Sequence, residues 1–118
     1  MKRSTKKEIK VMFANVRLHK TYEKLKRSRY PDERRLYEQI SKTADELKKN
    51  PFCGTEIPKK QIPAFYVQEY GVDNLWKYDL PGSWRVIYTV TTEGELYILA
   101  VILEWFSDHK EYERRFRY

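Results

Sequence analysis

Two long apolar runs separated by a short turn constrain this chain more than anything else in it. They are Trp84-Arg85-Val86-Ile87-Tyr88-Thr89-Val90 and residues 96–106, with Thr92-Glu93-Gly94 between them. In the first run Trp84, Val86, Tyr88 and Val90 fall on one side of a pleated strand and Arg85 on the other. The second run is almost continuously apolar, as a central strand covered on both faces must be. Ahead of both, Leu75-Trp76-Lys77-Tyr78-Asp79-Leu80 alternates, and Pro81-Gly82-Ser83 supplies the other turn. Three consecutive strands joined by short turns predict an antiparallel meander.

The N-terminal half has a different period. Ile9, Val11 and Phe13 alternate with Lys10 and Met12, which predicts a first strand. Leu18, Tyr22 and Leu25 then recur at helical spacing, predicting an amphipathic helix over about 18–27. Pro31-Asp32-Glu33 opens a second helix, because proline lacks only a donor that the first turn leaves unpaired and the acids suit the positive helix end. Leu36, Ile40, Thr43 and Leu47 continue it on one face. Lys48-Lys49-Asn50-Pro51 closes it, with Asn50 as a left-handed cap. Residues 51–74, rich in proline and glycine, read as one long loop with a helical turn near 65–70. Such a loop in a compact domain usually binds something or moves. The basic tail at 1–7 reads as frayed.

The expected fold is therefore α+β: two N-terminal helices packed on a small antiparallel sheet, in the order β-α-α-β-β-β, with a short C-terminal helical segment. One domain is expected over 1–118, a length that buries roughly two-thirds of its unfolded surface without needing metal or disulfides. The single cysteine, Cys53, has no internal partner, and no apolar segment follows Met1-Lys2-Arg3, so a cytoplasmic protein is expected rather than a secreted or membrane-inserted one. With 35% charged residues the chain borders on the composition of disorder, but 15% aromatic residues and clear periodicity argue for folding. The formal charge of +7 favours polyanionic partners through phosphate attraction and counterion release. A membrane surface fits least well, because no long helix pairs a basic face with a strongly apolar one.

The element order and two short motifs together resemble the RelE/ParE toxin superfamily. The Trp84-Arg85-Val86-Ile87-Tyr88 run is similar to that family's arginine-bearing strand, and His109-Lys110-Glu111-Tyr112 is similar to its terminal His-basic-x-Tyr signature. The resemblance covers about residues 7–115. It implies the toxin of a toxin–antitoxin pair. In the RelE-like branch that toxin is a metal-independent ribonuclease cutting messenger RNA on the ribosome, neutralised by a small antitoxin with an acidic or amphipathic segment. The ParE-like branch instead inhibits DNA gyrase, and a module that kept only the fold would bind RNA or protein without catalysis. Two features depart from the family: Glu104 and Asp108 put negative charge near the supposed phosphate site, and the loop after the second helix is longer.

Cleavage by the adjacent 2′-hydroxyl requires a base for its proton, an acid for the departing 5′-oxygen and fixed cations for the phosphorane. Arg85 is the candidate phosphate clamp, since its planar fork bonds two oxygens at once; the plainer reading pairs it with Asp79 or Glu104. His109 is the candidate acid because imidazole titrates near neutrality. Tyr112 would stand beside it on a final helical turn, and the plainer reading there is a terminal helix packing Tyr112 and Phe116 on the sheet. The resemblance places Lys59 and Lys60 as phosphate-neutralising cations and Glu56 as a loop general base. A solvated Glu56 is the alternative. Tyr66, Tyr70 and Trp76 are candidates for stacking on unpaired bases; such residues are more often core, and the alternation of Trp76 with Tyr78 favours its burial. Lys110, Arg114 and Arg115 add RNA-binding charge. His19 reads as a surface residue. No Gly-rich phosphate loop, Cys/His metal spacing or serine-histidine-acid set is visible, so neither a metal nor a small-molecule cofactor is expected.

Overall fold

A computed structural model of the protein describes residues 7–107, which form three helices and one five-stranded sheet, an α+β arrangement. The tail at 2–6, the C-terminal helical segment, and with it His109, Lys110, Tyr112, Arg114 and Arg115, lie outside the described residues. In chain order the elements are β1 (Glu8–Phe13), α1 (Val16–Arg27), α2 (Pro31–Lys49), β2 (Thr55–Glu56), a 3₁₀ turn (Lys59–Gln61), α3 (Ala64–Tyr70), β3 (Trp76–Asp79), β4 (Arg85–Glu93) and β5 (Tyr97–Phe106).

The sheet runs β1-β5-β4-β3-β2 and is mixed rather than antiparallel, because β1 lies parallel to β5. The remaining neighbours, β2 with β3, β3 with β4 and β4 with β5, are antiparallel, so the meander expected from the turns is present. As a central strand β5 has a neighbour on each edge, β4 on one and β1 on the other; alternation in β1 carries no information about its direction. In β1, Ile9, Val11 and Phe13 are half-buried while Glu8, Lys10 and Met12 are exposed.

Both N-terminal helices follow their sequence signals. Asn15 caps α1, accepting a bond from the Leu18 backbone N–H at 2.8 Å. Pro31 opens α2, and its buried residues are Leu36, Ile40, Thr43 and Leu47. The Tyr22 and Ser41 hydroxyls join α1 to α2 at 2.5 Å. Asn50 ends α2 in extended conformation, with φ of −155°, rather than as the left-handed cap the sequence predicts. Its side chain instead accepts from the Phe52 backbone N–H at 3.0 Å, an Asx-type turn into Pro51 and beyond.

Segment 51–74 is not one loop. It contributes β2, the 3₁₀ turn and α3, and it covers the face of the sheet opposite α1 and α2. The molecule therefore has two cores. Leu36, Ile40 and Leu47 of α2 pack with Leu80, Val86, Tyr88, Ala100 and Ile102 on one face, whereas Ile57, Tyr66, Val72 and Leu75 pack with Ile87, Leu103 and Phe106 on the other. β4 is consequently buried on both faces. A bulge in β5, where Ile87 opposes Glu104 and Tyr88 opposes Ile102, leaves Leu103 as the extra residue and turns both Leu103 and Glu104 to the second core.

The two layers meet at Tyr88. Its ring is fully buried on the helix side, and its hydroxyl accepts the Gly54 backbone N–H at 3.0 Å. Burial pushes this phenol from the ordinary 10 up to about 12. A phenol with a raised folded pKa contributes stability that is complete below the unfolded pKa and is lost as pH climbs to the folded one. Stability should fall by roughly 3 kcal/mol between pH 10 and 12, with Tyr22 and Tyr78, also raised by burial, acting in the same direction. Denaturant midpoints measured across that window should show a flatter decline in Tyr88→Phe; an equal decline would contradict the assignment to Tyr88.

Candidate functional site

Alternation in β3 and β4 sends one set of side chains to α2 and the other to the second core. Trp76 and Tyr78 pack against the first core, so Lys77 and Asp79 face the opposite way. Cross-strand register then sets two rungs side by side: Lys77, Ile87 and Glu104, followed by Asp79, Arg85 and Phe106. Tyr66 of α3 closes over them and donates its hydroxyl proton to Glu104 Oε2. Lys77, Asp79, Arg85, Glu104 and Tyr66 thus converge at the end of the sheet where β5 finishes.

Arg85 is held from two sides. Its Nε lies 3.4 Å from Asp79 Oδ1, and Nη1 donates to the Ser83 carbonyl at 3.3 Å. Lys77 Nζ lies 3.9 Å from the other Asp79 oxygen, so one carboxylate sits between two cations. The Arg85 side chain retains 20% of its exposure while Asp79 keeps 60%. An ion pair with so exposed a carboxylate contributes at most about 1 kcal/mol, and a phosphate can displace it. The plainer sequence reading, Arg85 beside Asp79, is thus how the side chain is oriented.

The other sequence candidates divide. Lys59 and Lys60 are exposed on the 3₁₀ turn, whose flanking Ile57 and Ile62 pack into the second core, so both lysines belong to the layer over Arg85's face. Glu56 does not join them. It stands opposite Trp76 in the register, hence on the helix side of the sheet, where it lines a hollow with Phe52 and Trp76. Tyr66 is fully buried, with no ring face open to a base, and acts here through its hydroxyl. Tyr70 is half-buried and stacks on Tyr66 at 6.5 Å, while Phe65, 49% exposed, presents its edge to Tyr70. Phe65 is therefore the most open aromatic side chain of α3, and it escaped the sequence reading because its neighbours are equally aromatic.

Sequence reasoning also passed over Lys77, and it treated Asp79 only as a partner for Arg85 and Glu104 as such a partner or as negative charge opposing a phosphate. The available signal was phase: Lys77 and Asp79 occupy the positions alternating with Trp76 and Tyr78. Trp76 is half-buried against Tyr88, in line with its alternation. His19 is exposed on α1, 3.8 Å from Glu23 and on the helix side, away from the cluster.

Chemically, the cluster offers a fork-shaped cation, a second cation and two carboxylates, one of them engaged by a tyrosine hydroxyl. Its charges balance, so an incoming phosphate must displace Asp79 or draw on Lys59 and Lys60. Among the described residues no group of three or more His, Cys, Asp or Glu side chains is arranged to hold a metal ion, and no helix is long and apolar enough to cross a membrane. No protein-family model, curated protein or solved structure matches the chain.

Proposed function

We propose that the protein is a RelE-like toxin, a cytoplasmic endoribonuclease that cuts messenger RNA on the ribosome and is held inactive by a cognate antitoxin. The observation that carries this reading is the placement of Arg85: half-buried, oriented by the exposed Asp79, and in register with Phe106, from which the chain runs on toward His109, Lys110 and Tyr112. The two N-terminal helices packed on one face of the sheet support it, as the arrangement that the resemblance implies.

In this reading the 2′-hydroxyl attacks the adjacent phosphorus and loses its proton to a base, forming a 2′,3′-cyclic phosphate as the bond to the 5′-oxygen breaks. His109 gives that oxygen its proton. Arg85 holds two oxygens of the phosphorane, displacing Asp79, and Lys59 and Lys60 neutralise the remaining charge. Glu56, on the far face, is a poor candidate for the base. Glu104, turned to Arg85's face by the β5 bulge, takes its place in this scheme, with Tyr66 orienting it.

The balanced charge of the cluster favours a second reading, a non-catalytic ParE-like inhibitor of gyrase or an interaction module. Pulse-labelling after induction separates the two. The ribonuclease reading predicts that amino-acid incorporation collapses within minutes while gyrase supercoiling by the purified protein is unaffected. Inhibited supercoiling with continuing protein synthesis would replace it by the gyrase reading.

A further inference from the structure

α1 has two unlike sides. Leu18, Tyr22 and Leu25 pack against the first core, and no residue of the helix is fully buried. At 100° per residue, Arg17, Lys20, Lys24 and Arg27 fall within an arc of about 80° on the side away from those three. All four are exposed, and among the described residues none has an ion-pair partner. Glu23, the one acid on the helix, sits at the margin of the stripe and is taken up by His19 at 3.8 Å. Arg17, Lys20 and Lys24 also line a hollow of about 540 Å³ with Val16 and Thr21.

A helix-terminal preference for cations explains Lys24 and Arg27 but not Arg17, which stands in the first turn where positive charge is unfavourable, nor Lys20, which lies outside both end turns. Two like charges at i and i+4, Lys20 and Lys24, cost a little more. The stripe is thus a row of mutually repelling cations maintained against local helix energetics, about 15 Å long at 1.5 Å per residue. Successive members are ~4.5–6 Å apart along the axis, more than the ~3.4 Å that a strand of duplex DNA advances per phosphate, and an A-form RNA strand advances less, so each can meet a separate phosphate. A protein partner would need an apolar centre to exclude water, and beside these cations the hollow offers a single exposed aliphatic side chain, Val16.

We propose that the α1 stripe is a second RNA-docking surface, binding the phosphate backbone of duplex RNA on the side of the sheet opposite Arg85. The choice of RNA over DNA rests on the ribonuclease reading; the phosphate recognition does not. The surface sets orientation and on-rate, because backbone contacts position a protein without reading sequence.

Anisotropy of a labelled short RNA duplex, titrated with the full chain over a series of salt concentrations, tests this. Replacing Arg17, Lys20, Lys24 and Arg27 together by alanine should flatten the slope of log K against log salt by about 3–4 and weaken binding at least ~100-fold at low salt. The charge-retaining variant Arg17→Lys/Arg27→Lys should keep the wild-type slope, and circular dichroism checks that the alanine variant still folds. An unchanged slope in the alanine variant overturns the proposal. Equally tight, stripe-dependent binding of a DNA duplex overturns the choice of RNA, and displacement of the duplex by polyglutamate at equal charge assigns the stripe to an acidic protein instead. Wild-type protein that binds through the stripe yet leaves messenger uncut in a translation reaction would sink the ribonuclease reading alone.

Discussion

Replacing Gly54 by alanine is expected to remove a large part of the protein's stability, and valine to abolish folding. A Cβ at this position would lie 2.5 Å from the Lys77 carbonyl oxygen and 2.6 Å from the Tyr88 hydroxyl. Neither neighbour has room to retreat. The carbonyl belongs to β3, between β2 and β4, and the Tyr88 ring is fully buried and stacked on Trp76 at 6.2 Å. Relief of the clash would also break the bond from the Gly54 N–H to the Tyr88 hydroxyl, which ties the start of the second layer to the buried tyrosine of the first core. Overpacking against backbone and loss of a buried hydrogen bond together cost about 3–4 kcal/mol, a large part of the 5–15 kcal/mol typical of a domain. Gly71 is the contrasting site. Alanine there meets nothing within 4 Å but must adopt φ of +64°, which costs only about 1 kcal/mol. Urea midpoints of the two alanine variants should therefore differ widely. A Gly54→Ala midpoint no lower than that of Gly71→Ala would show that the two layers are not joined as described.

The second large effect concerns Arg85. Alanine at this position should leave folding nearly intact, because the ion pair with the exposed Asp79 contributes at most about 1 kcal/mol. Cleavage should drop about a thousandfold, the loss of about 4 kcal/mol of phosphorane stabilisation that a fork-shaped donor supplies. Lysine restores charge but not the two-point geometry, so Arg85→Lys should recover only part of the rate. Asp79→Asn separates function from structure. If Arg85 exists to bind phosphate, removing the competing carboxylate should tighten RNA binding several-fold and lower stability slightly. If the pair is purely structural, RNA binding by Asp79→Asn should equal that of the wild type.

Local signals in the sequence were sufficient for the elements that carry periodicity. Pro31 with the 36, 40, 43 and 47 positions fixes α2 and its buried face, and the two turns fix the order of β3, β4 and β5. Pairing was less legible. That β1 joins β5 in parallel depends on which edge of β5 is left open, a property of the assembled sheet. The second core was hidden because Ile57, Ile62, Tyr66, Val72 and Leu75 follow neither a helical nor a strand period across a segment broken by prolines. Its absence from the sequence reading made 51–74 look like a loop and left Tyr66 open between base stacking and core.

The candidate site was half legible for the same reason. Arg85 stood out by alternating with apolar neighbours, but Asp79 became its partner only through the β3–β4 register. A two-residue strand has no phase of its own, so the side of the sheet taken by Glu56 is set by its pairing with Trp76. Glu104 reached Arg85's face through a bulge that no periodicity announces.

Purified protein added to a cell-free translation reaction, with messenger ends mapped by primer extension and Arg85→Ala and His109→Ala run beside the wild type, decides whether the protein is a ribonuclease. Discrete cuts in translated messenger are expected with the wild type and none with either variant. Uncut messenger with normal translation would rule the ribonuclease out.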